Sequence, residues 1–272
     1  FPAVVLVHGS GPNDRDERIG PQRPFRDLAW GLASRGIAVL RYDKRTMHHG
    51  LRVPLKTLTI EGETIEDALE AAAFLRRQPG IDPRRVFVLG HSLGAYAAPE
   101  IGRRDPRLRG LILLAGNSRP LEDLLLEQFE YIFSLQGPTE EQKKQLDKLR
   151  EQVKKVKDPK FSKDSPSDGL PLGLTATYWA WLKAYDPVKT AGKLKMPLLI
   201  LQGERDYQVT MADFEGWKKG LSAKKNVELK SYEDLNHLFV AGKGKSQPLE
   251  YVFPGQVAGK VIDDIAGWIK RN

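Results

Sequence analysis

The stretch "VFVLGHSLGAYAAPE" (Val86–Glu100) constrains the fold more than any other. An unbroken apolar run, Val86–Leu89, ends just before a serine, Ser92, that has glycines two positions away on each side, Gly90 and Gly94. A short continuous apolar run reads as a strand covered on both faces, the kind found in parallel sheets. Ser92–Arg104 reads as a helix, with a local irregularity predicted at Pro99, which lacks a backbone donor. Strand, turn and helix around G-x-S-x-G form a nucleophile elbow. The turn is so sharp that a Cβ at either glycine collides, and the serine hydroxyl projects from the carboxyl edge of the sheet, where open α/β sheets bind ligands.

The rest of the chain alternates in the same way. Ala3–Gly9, Ile37–Asp43, Leu108–Gly116, Met196–Glu204 and Asn226–Glu233 read as strands. Phe25–Gly36, Thr64–Gln78 (with Thr64 as cap), Ala212–Leu221 and Pro254–Arg271 read as helices. This predicts an α/β fold with a mostly parallel central sheet flanked by helices. With 272 residues there is room for one large α/β domain or a domain with an elaboration. Residues 117–195 interrupt the alternation. "LEDLLLEQFEYIFSL" is apolar on more than one face, Leu146, Leu149, Val153 and Val156 form a narrow seam, and "TATYWAWLKAY" is strongly aromatic. We read 117–195 as a helical cap insertion over one end of the sheet, and 1–116 with 196–272 as the catalytic core.

Composition narrows the chemistry. There is no cysteine, so disulfides, thiolate nucleophiles and cysteine-bound metals are excluded. Abundant Lys, Arg and Glu with three Met is the composition expected of a heat-adapted protein. The formal charge of +8 is spread along the chain. Its densest basic stretch, Glu140–Asp164, holds nine basic and six acidic residues, so we expect a solvated surface rather than a nucleic-acid or membrane partner. No apolar stretch is long enough to span a bilayer. The chain starts at Phe1 with no visible leader, and we expect a mature or trimmed, soluble chain, either cytoplasmic or secreted after loss of an N-terminal segment.

A serine hydroxyl needs a base, and the base needs an orienting acid. Of the histidines His8, His48, His49, His91 and His237, only His237 ("DLNHLF") follows in the order Ser, Asp, His. His91 is expected to point away from the hydroxyl. Asp206, just beyond the Leu198–Gln202 run, is the preferred acid, and Asp213 and Asp234 are alternatives. The oxyanion of acyl transfer needs backbone donors. We assign the amide of Leu93, directly after the nucleophile, and that of Ser10 in "HGSG".

"HGSGPNDRDE", "GLASRGIAVLRYDKR", "GHSLG", "LQGERDYQV" and "NHLF" resemble the α/β-hydrolase superfamily, and within it the bacterial carboxylesterases of the EstD type. The resemblance covers essentially the whole chain. It implies an eight-stranded hydrolase sheet, a cap, no cofactor and no metal, and serine-esterase activity through Ser92, Asp206 and His237 with the Ser10 and Leu93 amides. Such relatives carry further strands before the "HGSG" strand, and this chain does not.

Phe129, Phe133, Tyr178, Trp179 and Trp181 are candidates for the substrate pocket, competing with ordinary packing of the insertion. No arginine cluster marks an anionic substrate, so a neutral small-to-medium or aryl ester is the expected partner, and a homo-oligomer is compatible with the sequence. "DRDER" and "RYDKR" read as ion pairs bracing loops. A thioesterase, a serine peptidase and a non-catalytic hydrolase-like binding protein are the competing readings.

Overall fold

Strand burial settles the layering. In a computed structural model, which describes residues 1–50 and 58–272, six strands form one parallel sheet. They are β1 (Ala3–Val7), β2 (Ala38–Leu40), β3 (Val86–His91), β4 (Gly110–Leu114), β5 (Leu198–Gly203) and β6 (Val227–Tyr232), in the order β2-β1-β3-β4-β5-β6. Strands β1, β3, β4 and β5 are buried along their whole length, whereas the edge strands β2 and β6 are partly exposed. Continuous apolar runs therefore fall at the centre, where both faces are covered.

Alternate residues of each central strand feed two cores. Val5, Val7, Val88 and Leu113 face one side, with Ala68 and Ala72 of α3 (Glu66–Arg76), Ala97 and Ile101 of α4 (Leu93–Arg104) and Trp217 of α9 (Met211–Gly220). Val4, Leu6, Leu89 and Leu114 face the other, with Leu28 and Leu32 of α1 (Pro24–Ala33) and Val261, Ile265 and Ile269 of α10 (Gly259–Arg271). Between β4 and β5 lie α5 (Leu121–Ser134), α6 (Glu140–Lys157), α7 (Ala176–Ala184) and α8 (Pro187–Lys193). The seam Leu146, Leu149, Val153 and Val156 is the buried face of α6. Tyr96 of α4 ties this segment to the core, its hydroxyl reaching the carbonyls of Leu182 (3.3 Å) and Tyr185 (3.2 Å). Among the described residues no helix is long and apolar enough to cross a membrane.

Several expectations need correcting. The described sheet has six strands rather than eight, because β1 is already the strand that leads into "HGSG". Helix α4 runs unbroken through Pro99, whose ring costs one intrahelical bond without ending the helix. The helix expected from Thr64 starts earlier, with a π-turn at Glu61–Ile65 that continues into α3. Thr59 does the capping, its Oγ1 accepting the Gly62 amide at 3.1 Å, and Thr64 is buried inside the turn. Helix α10 begins at Gly259 rather than Pro254, because the preceding donors are used elsewhere: Val257 N–H on Asp27 and Ala258 N–H on the Phe239 carbonyl.

Candidate active site

Strand order reverses between β1 and β3, since β2 lies outside β1 on one side and β4 outside β3 on the other. Crevices at such a switch point, beyond the carboxyl ends of the strands, are where open α/β sheets bind ligands. The "HGSG" loop leaves β1 at this point and "GHSLG" leaves β3.

Ser92 caps α4 with φ 53° and ψ −118°, a conformation side chains rarely adopt. Close approach explains both flanking glycines. A Cβ on Gly90 would lie 2.2 Å from the Gly94 carbonyl oxygen, and one on Gly94 would lie 2.2 Å from that of Val7. Those are backbone atoms with no freedom to yield. Gly94→Ala should therefore lower stability by about 3 kcal/mol, read as a lower urea midpoint with unchanged slope. A wild-type midpoint would show that the elbow and the end of β1 are not packed this tightly. The β1 loop also meets the elbow directly, since a Cβ on Gly9 would come within 3.2 Å of Ser92 Cβ.

Asp206 follows β5 in a tight turn, its amide bonded to the Gly203 carbonyl. Its buried carboxylate accepts four donors. Gln208 N–H (2.7 Å) and Val209 N–H (3.1 Å) bind Oδ1, and His237 Nδ1–H (2.6 Å) and Gln202 Nε2–H (3.2 Å) bind Oδ2. With Asp206 as acceptor, His237 carries its hydrogen on Nδ1 and keeps the Nε2 lone pair free. The His237 loop is held by the buried Asn236, whose Oδ1 accepts the Leu238 and Val240 amides.

The alternative carboxylates are engaged elsewhere. Asp213 accepts the Ser118 and Arg119 amides and pairs with the Arg119 guanidinium at 2.7 Å, while Asp234 pairs with Lys260. His48 and His49 are exposed on α2 (Arg45–His49). His8 is buried between Phe25 and Tyr42, and burial pushes its imidazole below the usual range. His91 turns aside: its Nδ1 lies 3.0 Å from Glu17 Oε2 and its Nε2 lies 3.0 Å from the His237 carbonyl oxygen. Burial alone would lower this imidazole, but the Glu17 carboxylate outweighs it and holds His91 above the usual range. Through its Nε2 contact with the His237 carbonyl, His91 braces the His237 loop.

The structure thus joins Asp206 to His237 and, through His91, brings the His237 loop against the residue before Ser92. Ser92 Oγ itself makes no hydrogen bond to His237 among the described contacts. Catalytic bonds of this kind are commonly long until substrate binds. The Leu93 amide is the first of α4, where helix N–H groups lack intrahelical partners and the dipole favours an anion. Ser10 is exposed in the β1 loop.

The aromatic candidates divide. Trp179 is fully enclosed and gives its indole N–H to the Pro171 carbonyl, and Tyr178 is buried with its hydroxyl on Glu63. Both belong to the packed face of α7, so of the two readings it is ordinary packing that claims them, and neither is an exposed pocket residue. Trp181, stacked on Tyr185 at 4.7 Å, and the Phe129–Phe133 pair at 5.7 Å stay half-buried. The "DRDER" and "RYDKR" loops do brace each other, through Arg15–Asp43 at 2.7 Å and Arg41–Asp16. Sequence reading missed the buried Glu17, Lys44 and Glu63, because charged residues in loops ordinarily sit in water.

A family profile described as "Serine aminopeptidase, S33" (Hydrolase_4) matches residues 3–243. Esterase EstD of Thermotoga maritima is 47% identical over 273 residues, covering 100% of this chain. The chain spans 62% of the length of that relative. Among solved structures, the esterase Pf2001 of Pyrococcus furiosus superposes with a TM-score of 0.61 at 16% identity, over 99% of this chain and 82% of that one. Est1E from Butyrivibrio proteoclasticus gives 0.59 at 15% identity, over 100% and 89%. At such identities the two structures speak for the fold alone.

Proposed function

The chain belongs to the serine aminopeptidase S33 family of α/β hydrolases, and on that premise we propose that it is a serine carboxylesterase acting on neutral small-to-medium or aryl esters. The observation that carries this reading is the buried 2.6 Å bond from His237 Nδ1 to Asp206, on a loop whose His237 carbonyl lies 3.0 Å from His91, the residue before the serine of a strained elbow. His237 Nε2 takes the Ser92 proton as Oγ attacks the ester carbonyl. The oxygen that becomes negative meets the Ser10 and Leu93 amides. The alcohol leaves with the proton from His237, and a water deprotonated by the same imidazole cleaves the acyl-enzyme, returning carboxylic acid and free Ser92. The 47% identity to a named esterase supports ester over peptide as substrate.

The test is a p-nitrophenyl ester series from acetate to palmitate, run beside amino-acid p-nitroanilides and an acyl thioester. We expect the highest kcat/KM on short or medium acyl chains, and loss of activity with stoichiometric fluorophosphonate labelling of Ser92. Faster cleavage of the anilides or the thioester, or activity confined to the long chains, overturns the assignment of substrate class. Labelling of a different residue overturns the assignment of the nucleophile.

A further inference from the structure

The triad has no use for a set of buried charges that converge on Gly9. Lys44, 1% exposed, donates from Nζ to the Gly9 carbonyl oxygen at 2.9 Å and pairs with Glu63 Oε1 at 3.1 Å. The other Glu63 oxygen accepts the Tyr178 hydroxyl of α7 at 2.9 Å. Gly9 N–H donates to Glu17 Oε1 at 2.6 Å, and Glu17 is itself buried at φ 51°. Both peptide groups of Gly9 are therefore pinned by buried ionisable side chains. Two features indicate that this is more than bracing. The loops are already braced at the surface by Arg15 and Arg41, which pair without being buried. Lys44, two residues beyond Tyr42 in the same loop, instead accepts the desolvation penalty of a buried ammonium. Its carboxylate partner is delivered by the π-turn at Glu61–Ile65, a distortion frequent at functional sites. Left-handed backbone at a buried glutamate is likewise strain that persists only where its surroundings over-determine it.

The Gly9 carbonyl and the Ser10 N–H belong to one peptide group. A cation on the oxygen fixes the plane of that group and draws charge from its nitrogen, so the N–H becomes both better aimed and a stronger donor. We propose that Lys44 is a positioning residue for the oxyanion hole, acting through the Gly9 carbonyl to orient and polarise the Ser10 amide, with Glu63 as its counter-ion. This rests on the reading of Ser92 as nucleophile and Ser10 as oxyanion donor. Through Tyr178 the same counter-ion also joins the hole to the segment between β4 and β5.

Removing Lys44 alone strands a buried carboxylate, so the test compares Glu63→Gln with the double variant Lys44→Met/Glu63→Gln in the full chain. Active sites are counted by fluorophosphonate labelling. Against Glu63→Gln, the double variant should lose about 30-fold in kcat per labelled site on p-nitrophenyl butyrate, less than the loss from deleting a hole donor outright. KM should stay within about threefold, because the hole acts on the transition state. Phenylboronic acid, which forms a tetrahedral adduct on a serine hydroxyl, should bind more weakly by a similar factor. If the double variant does not purify folded, Lys44→Gln/Glu63→Gln carries the same expectation, its amide being too short to bridge to Gly9. Equal kcat per site in the two backgrounds, or a loss appearing only in KM, overturns the proposal. Ser92→Ala keeps the two failures apart. If it is inactive and unlabelled while the Lys44 variants are normal, only the role of Lys44 fails. If it still turns over ester, the reading of the site fails first.

Discussion

Ser92→Ala should leave a folded protein whose ester turnover falls by about 10⁵–10⁶-fold in kcat, by the measure of other serine hydrolases. Both halves of that expectation come from the elbow. The fold survives because the backbone bonds at residue 92, its amide to the Leu114 carbonyl and its carbonyl from the Tyr96 amide, do not use the hydroxyl. Alanine carries the same Cβ into φ 53°, so the strain is neither relieved nor increased. Thermal midpoints should therefore agree within a few degrees. Turnover collapses because the remaining polar groups can stabilise an oxyanion but have no oxygen to attack the carbonyl. Purified wild type and variant, assayed on p-nitrophenyl butyrate with melting curves alongside, decide the matter. Turnover by the variant within tenfold of wild type removes Ser92 from the chemistry.

How far the sequence revealed this site depended on what each residue type ordinarily does. Gly90 and Gly94 were legible because only close backbone approach explains two glycines around a serine at a strand end, and that contact is present. The parallel sheet was legible because β1, β3, β4 and β5 are apolar along nearly their whole length, which only two covered faces require. Boundaries were less so. Nothing in "TLTIEGETIED" distinguishes Thr59 from Thr64 as a cap, and the choice rests on a turn closed by tertiary packing. The buried charges were the hardest to see. In "RYDKR", Asp43 and Arg41 are surface pairs and Lys44 is enclosed, yet the spacing carries no mark of the difference. The aromatic run "TATYWAWLKAY" left pocket and packing both open. A helix this short exposes one face and packs the other, and Trp179 falls on the packed one.

The sequence also left three acids open as the partner of His237, and exchanging each for its amide separates them. Asp206→Asn should lower kcat about 10⁴-fold at neutral pH, the size seen where the same change was made in another triad. The carboxamide introduced at this position can still accept the Gln208 and Val209 amides on its oxygen, which keeps the turn. Its nitrogen then faces His237 Nδ1 and can only donate. The imidazole must move its hydrogen to Nε2, where it blocks the lone pair that should receive the Ser92 proton. Gln202 Nε2 loses its acceptor on Oδ2 but keeps the Val209 and Gly203 carbonyls, so little stability is lost there. Loss of activity should therefore far exceed loss of fold. Asp213→Asn reverses that ranking: the carboxylate is fully buried against Arg119, so its removal lowers the melting temperature while leaving turnover per folded molecule nearly intact. Asp234→Asn should change neither by much, because its pair with Lys260 is exposed. Kinetics and melting curves on the three variants give three distinct signatures. If Asp206→Asn keeps a tenth of wild-type kcat, or Asp213→Asn shows the larger catalytic loss, the 2.6 Å bond is structural and the imidazole is oriented by something else.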